Sequence, residues 1–134
     1  MNADANKQAV QAVFAAFARG DAQAALAIMS EDVDWCNFGP AEMEYTGVRR
    51  GRNEVEQFFK QVDELFDHEK FEPREFVAQG DQVVVAGTEF VRAKSTGKSL
   101  INQWCMIFTF KDGKISRWRC YEDTASVMGI MKRG

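Results

Sequence analysis

Asn37, Arg92, Asn102 and Glu122 are the side chains best suited to chemistry on a bound molecule, and each falls in a run of β-type residues. Asn37 can orient a carbonyl or a water, Arg92 can bind an anionic oxygen, and Asn102 supplies an amide. Glu122, if burial raises its pKa, can act as a general acid or base. The plainer reading puts Arg92 and Glu122 near strand ends, paired with each other or with solvent. Tyr45, in the loop after Pro40, either offers its hydroxyl to a site or simply anchors that loop.

The remaining candidates read as structural. His68 is the only histidine, and it lies in Asp67-His68-Glu69-Lys70, which has the composition of a solvated helix end. Cys120 has no histidine nearby to activate it and reads as a small core residue. Asp34 points away from the interior by strand alternation, and Asp123 sits where a helix cap belongs.

The elements that must hold these groups follow from periodicity. Val10, Val13, Phe14 and Phe17 recur at helical spacing up to Gly20, and Asp21 caps a short second helix through Leu26 and Met29. Ser30-Glu31-Asp32 closes that helix, and a short strand carries Val33, Trp35 and Asn37 to the Gly39-Pro40 break. Val55, Phe58, Phe59, Val62, Leu65 and Phe66 form the apolar stripe of a third helix over 53–66. After Pro73 come β-type runs over 74–78, 82–93 and 100–110, then 114–122. Asp112-Gly113 joins the last two as a tight hairpin, because that turn needs φ > 0. Asp123-Thr124 caps a final short helix.

With 134 residues, 46% of them apolar and eleven Phe among them, the chain is read as a single domain spanning 1–134. Seventeen basic and twenty acidic residues leave a net charge of -3 with no basic stripe, which argues against a nucleic-acid partner. Cys36, Cys105 and Cys120 are scattered, with no zinc spacing, so no metal and no cofactor is expected and a reducing compartment is. A polar N-terminus and the lack of a long apolar run point to a cytoplasmic protein with no membrane partner.

Several motifs together resemble a known family. They are Phe17-Ala18-Arg19-Gly20-Asp21, Ser30-Glu31-Asp32-Val33-Asp34-Trp35, Tyr45-Thr46-Gly47 with Gly51-Arg52-Asn53-Glu54-Val55, Gly80-Asp81-Gln82-Val83-Val84-Val85, Ser95-Thr96-Gly97-Lys98, and Phe110-Lys111-Asp112-Gly113-Lys114-Ile115. Their order is similar to that of the SnoaL-like branch of the nuclear-transport-factor-like superfamily, which includes ketosteroid isomerase-like proteins. The resemblance implies an α+β fold, with a cone-shaped, curved antiparallel sheet packed against three helices. It also implies a small hydrophobic ligand in the cone and a homodimer through the outer sheet face.

Known catalytic patterns of that superfamily do not carry over. The ketosteroid isomerase positions fall on Val13, Asn37 and Met106, and the epoxide hydrolase positions on Phe90, Arg92 and Cys120; neither set supplies the required acids. If ligand-facing residues follow the resemblance, alternation turns Trp35 and Asn37 inward, then Val84, Ala86, Thr88, Phe90 and Arg92. The same rule turns Asn102, Trp104, Met106 and Phe108 inward, then Trp118, Cys120 and Glu122, with Phe17, Phe58, Val62 and Phe66 covering from the helices. Glu89, Val91, Ile101, Cys105, Arg117, Arg119 and Tyr121 fall on the outer face. Three functions stay open: an isomerase, cyclase or hydrolase using Asn37, Arg92 or Glu122; a non-catalytic binder using the same wall; and an assembly module whose cone is packed solid.

Overall fold

The computed structural model describes residues 2–132. Helix α1 spans Ala3–Ala18, opened by Asn2, whose side chain accepts from the Ala5 N–H at 2.8 Å. It stops at Gly20, held at φ +73°, and α2 (Ala22–Ala27) begins at once with Asp21 accepting from the Ala24 N–H at 3.0 Å. Strand β1 (Met29–Asn37) starts directly after α2, so Ser30-Glu31-Asp32 belong to the strand and do not close the helix. The Ser30 hydroxyl donating to the Ile115 carbonyl at 2.8 Å ties that segment into the sheet.

Strand β2 (Gly47–Arg50) pairs antiparallel with β1 and leads into α3 (Gly51–Leu65), where Glu54 reaches back to the Arg50 N–H at 3.0 Å. Arg52 binds α3 to β1 by donating from Nε to the Met29 carbonyl at 2.9 Å. Four long strands follow as a meander: β3 (Phe66–Gln79), β4 (Gln82–Ala93), β5 (Ser99–Lys111) and β6 (Lys114–Glu122), then α4 (Thr124–Met131). The β5–β6 turn has Asp112 at φ 51° and Gly113 at φ 78°, the left-handed pair that a two-residue hairpin requires.

The six strands form one curved sheet in the order β2-β1-β6-β5-β4-β3. Neighbours run antiparallel except β1 beside β6, which is parallel, with Trp35 opposite Trp118 and Asn37 opposite Cys120. Val10, Val13, Val33, Val55, Val83, Val85 and Ile115 are among the fully buried residues that join α1 and α3 to the sheet. No helix among the described residues is long and apolar enough to cross a membrane.

β3 begins at Phe66, immediately after α3. The Asp67-His68-Glu69-Lys70 segment is therefore strand, not the end of a helix. Its pairing with β4 slips by one residue at Glu69, since His68 stands opposite Val91 while Phe71 stands opposite Glu89. That bulge puts His68 and Phe71 on the same face of the sheet although they are three positions apart.

β4 faces opposite to the expected way. Val83, Val85, Val91 and Ala93 are buried, and Val84, Ala86, Thr88, Phe90 and Arg92 lie on the outer face. The register sets this, because Val83, Val85, Gly87 and Glu89 stand opposite Phe108, Met106, Trp104 and Asn102 of β5. Glu89 and Val91 are thus interior residues, while Ile101, Cys105, Arg119 and Tyr121 keep the outer placement.

Candidate active site

Helices α1 and α3 stand off the concave side of the sheet and leave a cavity of about 1060 Å³. Its wall is aromatic because inward positions of β1, β5 and β6 carry indoles. Trp35 stacks on Trp118 with ring centroids 3.8 Å apart, and Trp104 stacks on Phe71 at 4.8 Å. From α3, Phe58 meets both Trp35 and Trp118 edge-on, and Phe17 of α1 packs against Phe59. Phe66, Val62, Met106 and Cys120 complete the apolar lining. The cone is therefore open.

Polar groups converge at one side of this lining. The Tyr45 hydroxyl donates to Glu122 Oε1 at 2.5 Å, and Asn102 Nδ2 donates to Glu122 Oε2 at 3.3 Å. The same Asn102 nitrogen donates to Glu89 Oε1 at 3.1 Å, and His68 Nδ1 lies 2.9 Å from Glu89 Oε2. Five side chains from β3, β4, β5, β6 and the loop before β2 thus form one hydrogen-bonded row, His68, Glu89, Asn102, Glu122, Tyr45. Asn102 can serve both carboxyls only through its amino group, which fixes the amide orientation.

Electrostatics separate the members of the row. Burial, reinforced by the charge of Glu89, raises the pKa of Glu122 above the ordinary carboxyl value, against the opposing hydrogen bonds of Tyr45 and Asn102. Burial and the adjoining Glu122 push the Tyr45 phenol well up, so it stays a donor. Burial pulls His68 down, but its hydrogen bond to Glu89 and the nearby Glu89 charge win, leaving the imidazole above its usual value. Burial also raises the Cys120 thiol, which removes it as a nucleophile.

Four buried polar atoms on lining residues have no protein partner: Trp35 Nε1, Trp104 Nε1, Asn37 Oδ1 and Asn102 Oδ1. Two are donors and two acceptors. Among the described residues no cluster of histidine, cysteine or carboxylate side chains is arranged to hold a metal.

Phe17, Trp35, Asn37, Tyr45, Phe58, Val62, Asn102, Trp104, Met106, Trp118, Cys120 and Glu122 all line the cavity. Arg92 does not: it is a surface residue whose guanidinium meets Asp67 at 2.6 Å, and Phe90 lies beside it on the outer face. Arg92 and Glu122 are therefore not a pair. Asp34, also on the outer face, binds Arg119 at 3.0 Å, and Asp123 caps α4 by accepting from the Ser126 N–H at 3.2 Å. His68 and Glu89, which the sequence reading left outside, belong to the site.

The family described as the SnoaL-like domain matches residues 10–118. An NTF2-like protein from Burkholderia xenovorans LB400 is 32% identical over 98% of this chain and 99% of its own, with a TM-score of 0.89. An NTF2-like protein from Burkholderia pseudomallei K96243 is 27% identical over 96% of this chain and 98% of its own, at a TM-score of 0.90. TerC, co-crystallised with polyporic acid, is 28% identical over 96% of this chain and 99% of its own, at a TM-score of 0.85. No match is found among curated proteins.

Proposed function

We infer that this chain, which belongs to the SnoaL-like domain family, binds a flat aromatic molecule carrying a carbonyl group and catalyses proton transfer at that carbonyl. The observation that carries this reading is the row of two carboxyls joined by Asn102 in an aromatic cavity, with Tyr45 on one carboxyl and His68 on the other. Glu122, in the protonated form that burial favours, donates to the carbonyl oxygen as it gains charge, while Tyr45 donates to Glu122 Oε1. Glu89 accepts the proton from the adjacent carbon, and the C–H electron pair becomes the enolate double bond. Returning the proton at a different carbon completes an isomerisation.

Stacked indoles support a planar ligand, and the unpartnered Trp and Asn atoms suit one bearing both carbonyl and hydroxyl groups. The similar TerC, co-crystallised with polyporic acid, supports a small organic ligand in the same kind of fold. The test is exchange of the α-hydrogens of 2-tetralone in D2O, followed by NMR, beside quenching of tryptophan fluorescence. Exchange above buffer that is lost in Glu122→Gln and Glu89→Gln supports catalysis. Quenching without exchange makes the protein a binder, and neither signal rejects the cavity as a ligand site.

A second reading concerns assembly. Phe38 and Tyr121 stack at 4.9 Å on the outer face of the sheet while 42% and 46% exposed, with Ile101 exposed on the same face. A second copy of this chain covers that face, and sedimentation tests it.

A further inference from the structure

We propose that His68 is the positioning residue of this site, holding Glu89 in place as the proton acceptor through their Nδ1 to Oε2 contact. The proposal rests on the reading of Glu89 as the base. Three geometric facts carry it. The one-residue bulge at Glu69 brings His68 to the cavity side of β3, on the edge strand where a regular ladder would alternate it away from the face that Phe71 shares. His68 meets Glu89 at 2.9 Å, and Glu89 carries a second donor, Asn102 Nδ2, on its other oxygen at 3.1 Å. Two partners, one on each oxygen, clamp the Glu89 carboxyl plane and fix the direction in which it faces the cavity.

The imidazole is 29% exposed and the Glu89 side chain 11%, so the pair sits at the mouth with the carboxyl inside. Charged groups near the ring are Asp63 of α3, Asp67 of β3 with its partner Arg92 of β4, Glu89 of β4 and Glu122 of β6, and Lys94 after β4 also lines the cavity. Asp67 is paired with Arg92 and Lys94, and the other acids, Glu89, Asp63 and Glu122, favour the imidazolium. His68 faces Glu89 alone, while burial favours the protonated form of Glu122, so the two carboxyls sit in different surroundings.

Because the chain has one histidine, its imidazole can be titrated by NMR in the ligand-free protein without ambiguity. His68 is expected to titrate above the ordinary value of about 6.5 and to fall by about one pH unit or more in Glu89→Gln. A midpoint at the ordinary value, unmoved by Glu89→Gln, overturns the proposal. The second readout is 2-tetralone exchange in His68→Gln: kcat is expected to fall about tenfold with KM unchanged, and the limb of the pH profile that follows His68 to disappear. A raised KM with unchanged kcat makes His68 a ligand contact and also overturns it. Absence of exchange in the wild type rejects the catalytic reading, and the titration still decides whether His68 holds Glu89.

Discussion

Tyr45 and Glu122, 77 positions apart in the chain, meet at 2.5 Å inside the cavity, the phenol donating to the carboxyl. Glu122 has a folded pKa above its unfolded value of about 4.5, so its stabilising contribution is complete below that value and is lost as pH rises through the raised folded pKa. Unfolding midpoints in urea from pH 4 to 8 should therefore show the wild type losing stability relative to Glu122→Gln as pH rises. A constant difference between the two proteins rejects a perturbed Glu122. Tyr45→Phe removes a bond that lowers this pKa, so the decline should extend to higher pH.

The facing of β4 can be tested by two adjacent residues. Val85 is fully buried and Val84 is on the outer face. Val85→Lys should cost about 3 kcal/mol or more, as an unpaired buried charge does, and Val84→Lys less than about 1 kcal/mol. Equal losses in thermal denaturation count against the register.

Gly87 is where β4 lies under Trp104. A Cβ there would come within 2.5 Å of the Trp104 Cζ2 atom and would also strike the Glu72 carbonyl oxygen of β3. Gly87→Ala should cost about 1–3 kcal/mol by overpacking and alter the Trp104 fluorescence spectrum. An unshifted unfolding midpoint contradicts the close approach.

Arg119 donates to Asp34 Oδ2 and to the Asp34 carbonyl, both at 3.0 Å, and holds the Asp34 carboxyl below its ordinary pKa of 3.8. The stability this supplies is present above that value and lost as pH falls through the lowered one. Asp34→Asn should be less stable than wild type at pH 7, and the gap should close in strong acid. A gap that stays the same at every pH by the same assay assigns the loss to something other than charge.

On the outer sheet face, Arg117→Glu with Tyr121→Asp should weaken self-association by placing acids where Phe38 and Tyr121 stack. Undiminished association in sedimentation rejects that surface.

Most of the fold was legible in the sequence. The helices and the Asp112-Gly113 hairpin announce themselves by spacing and turn chemistry, and β6 and the α4 cap fall where the pattern puts them. The facing of β4 was not legible from apolar alternation, because Val83, Val84, Val85 and Ala86 are apolar on both faces. The polar positions Gln82, Thr88 and Arg92 share one parity and do mark the outer face, with Glu89 as the exception that belongs to the site. His68 was hidden by its acidic and basic neighbours, which resemble a solvated helix end, and by a bulge that breaks the period expected of a strand.

The parallel pairing of β1 with β6 has a consequence for how the chain acquires its shape. Trp35 finds its place against Trp118, and the Ile115 N–H its acceptor at Ile28, only when the last hairpin exists. One edge of β1 pairs with the nearby β2, but its other edge stays open until residues 114–122 are in place. Such a high separation of partners slows folding. The row of site residues needs Tyr45 and Glu122 together, so a ligand that bridges them stabilises only the finished molecule.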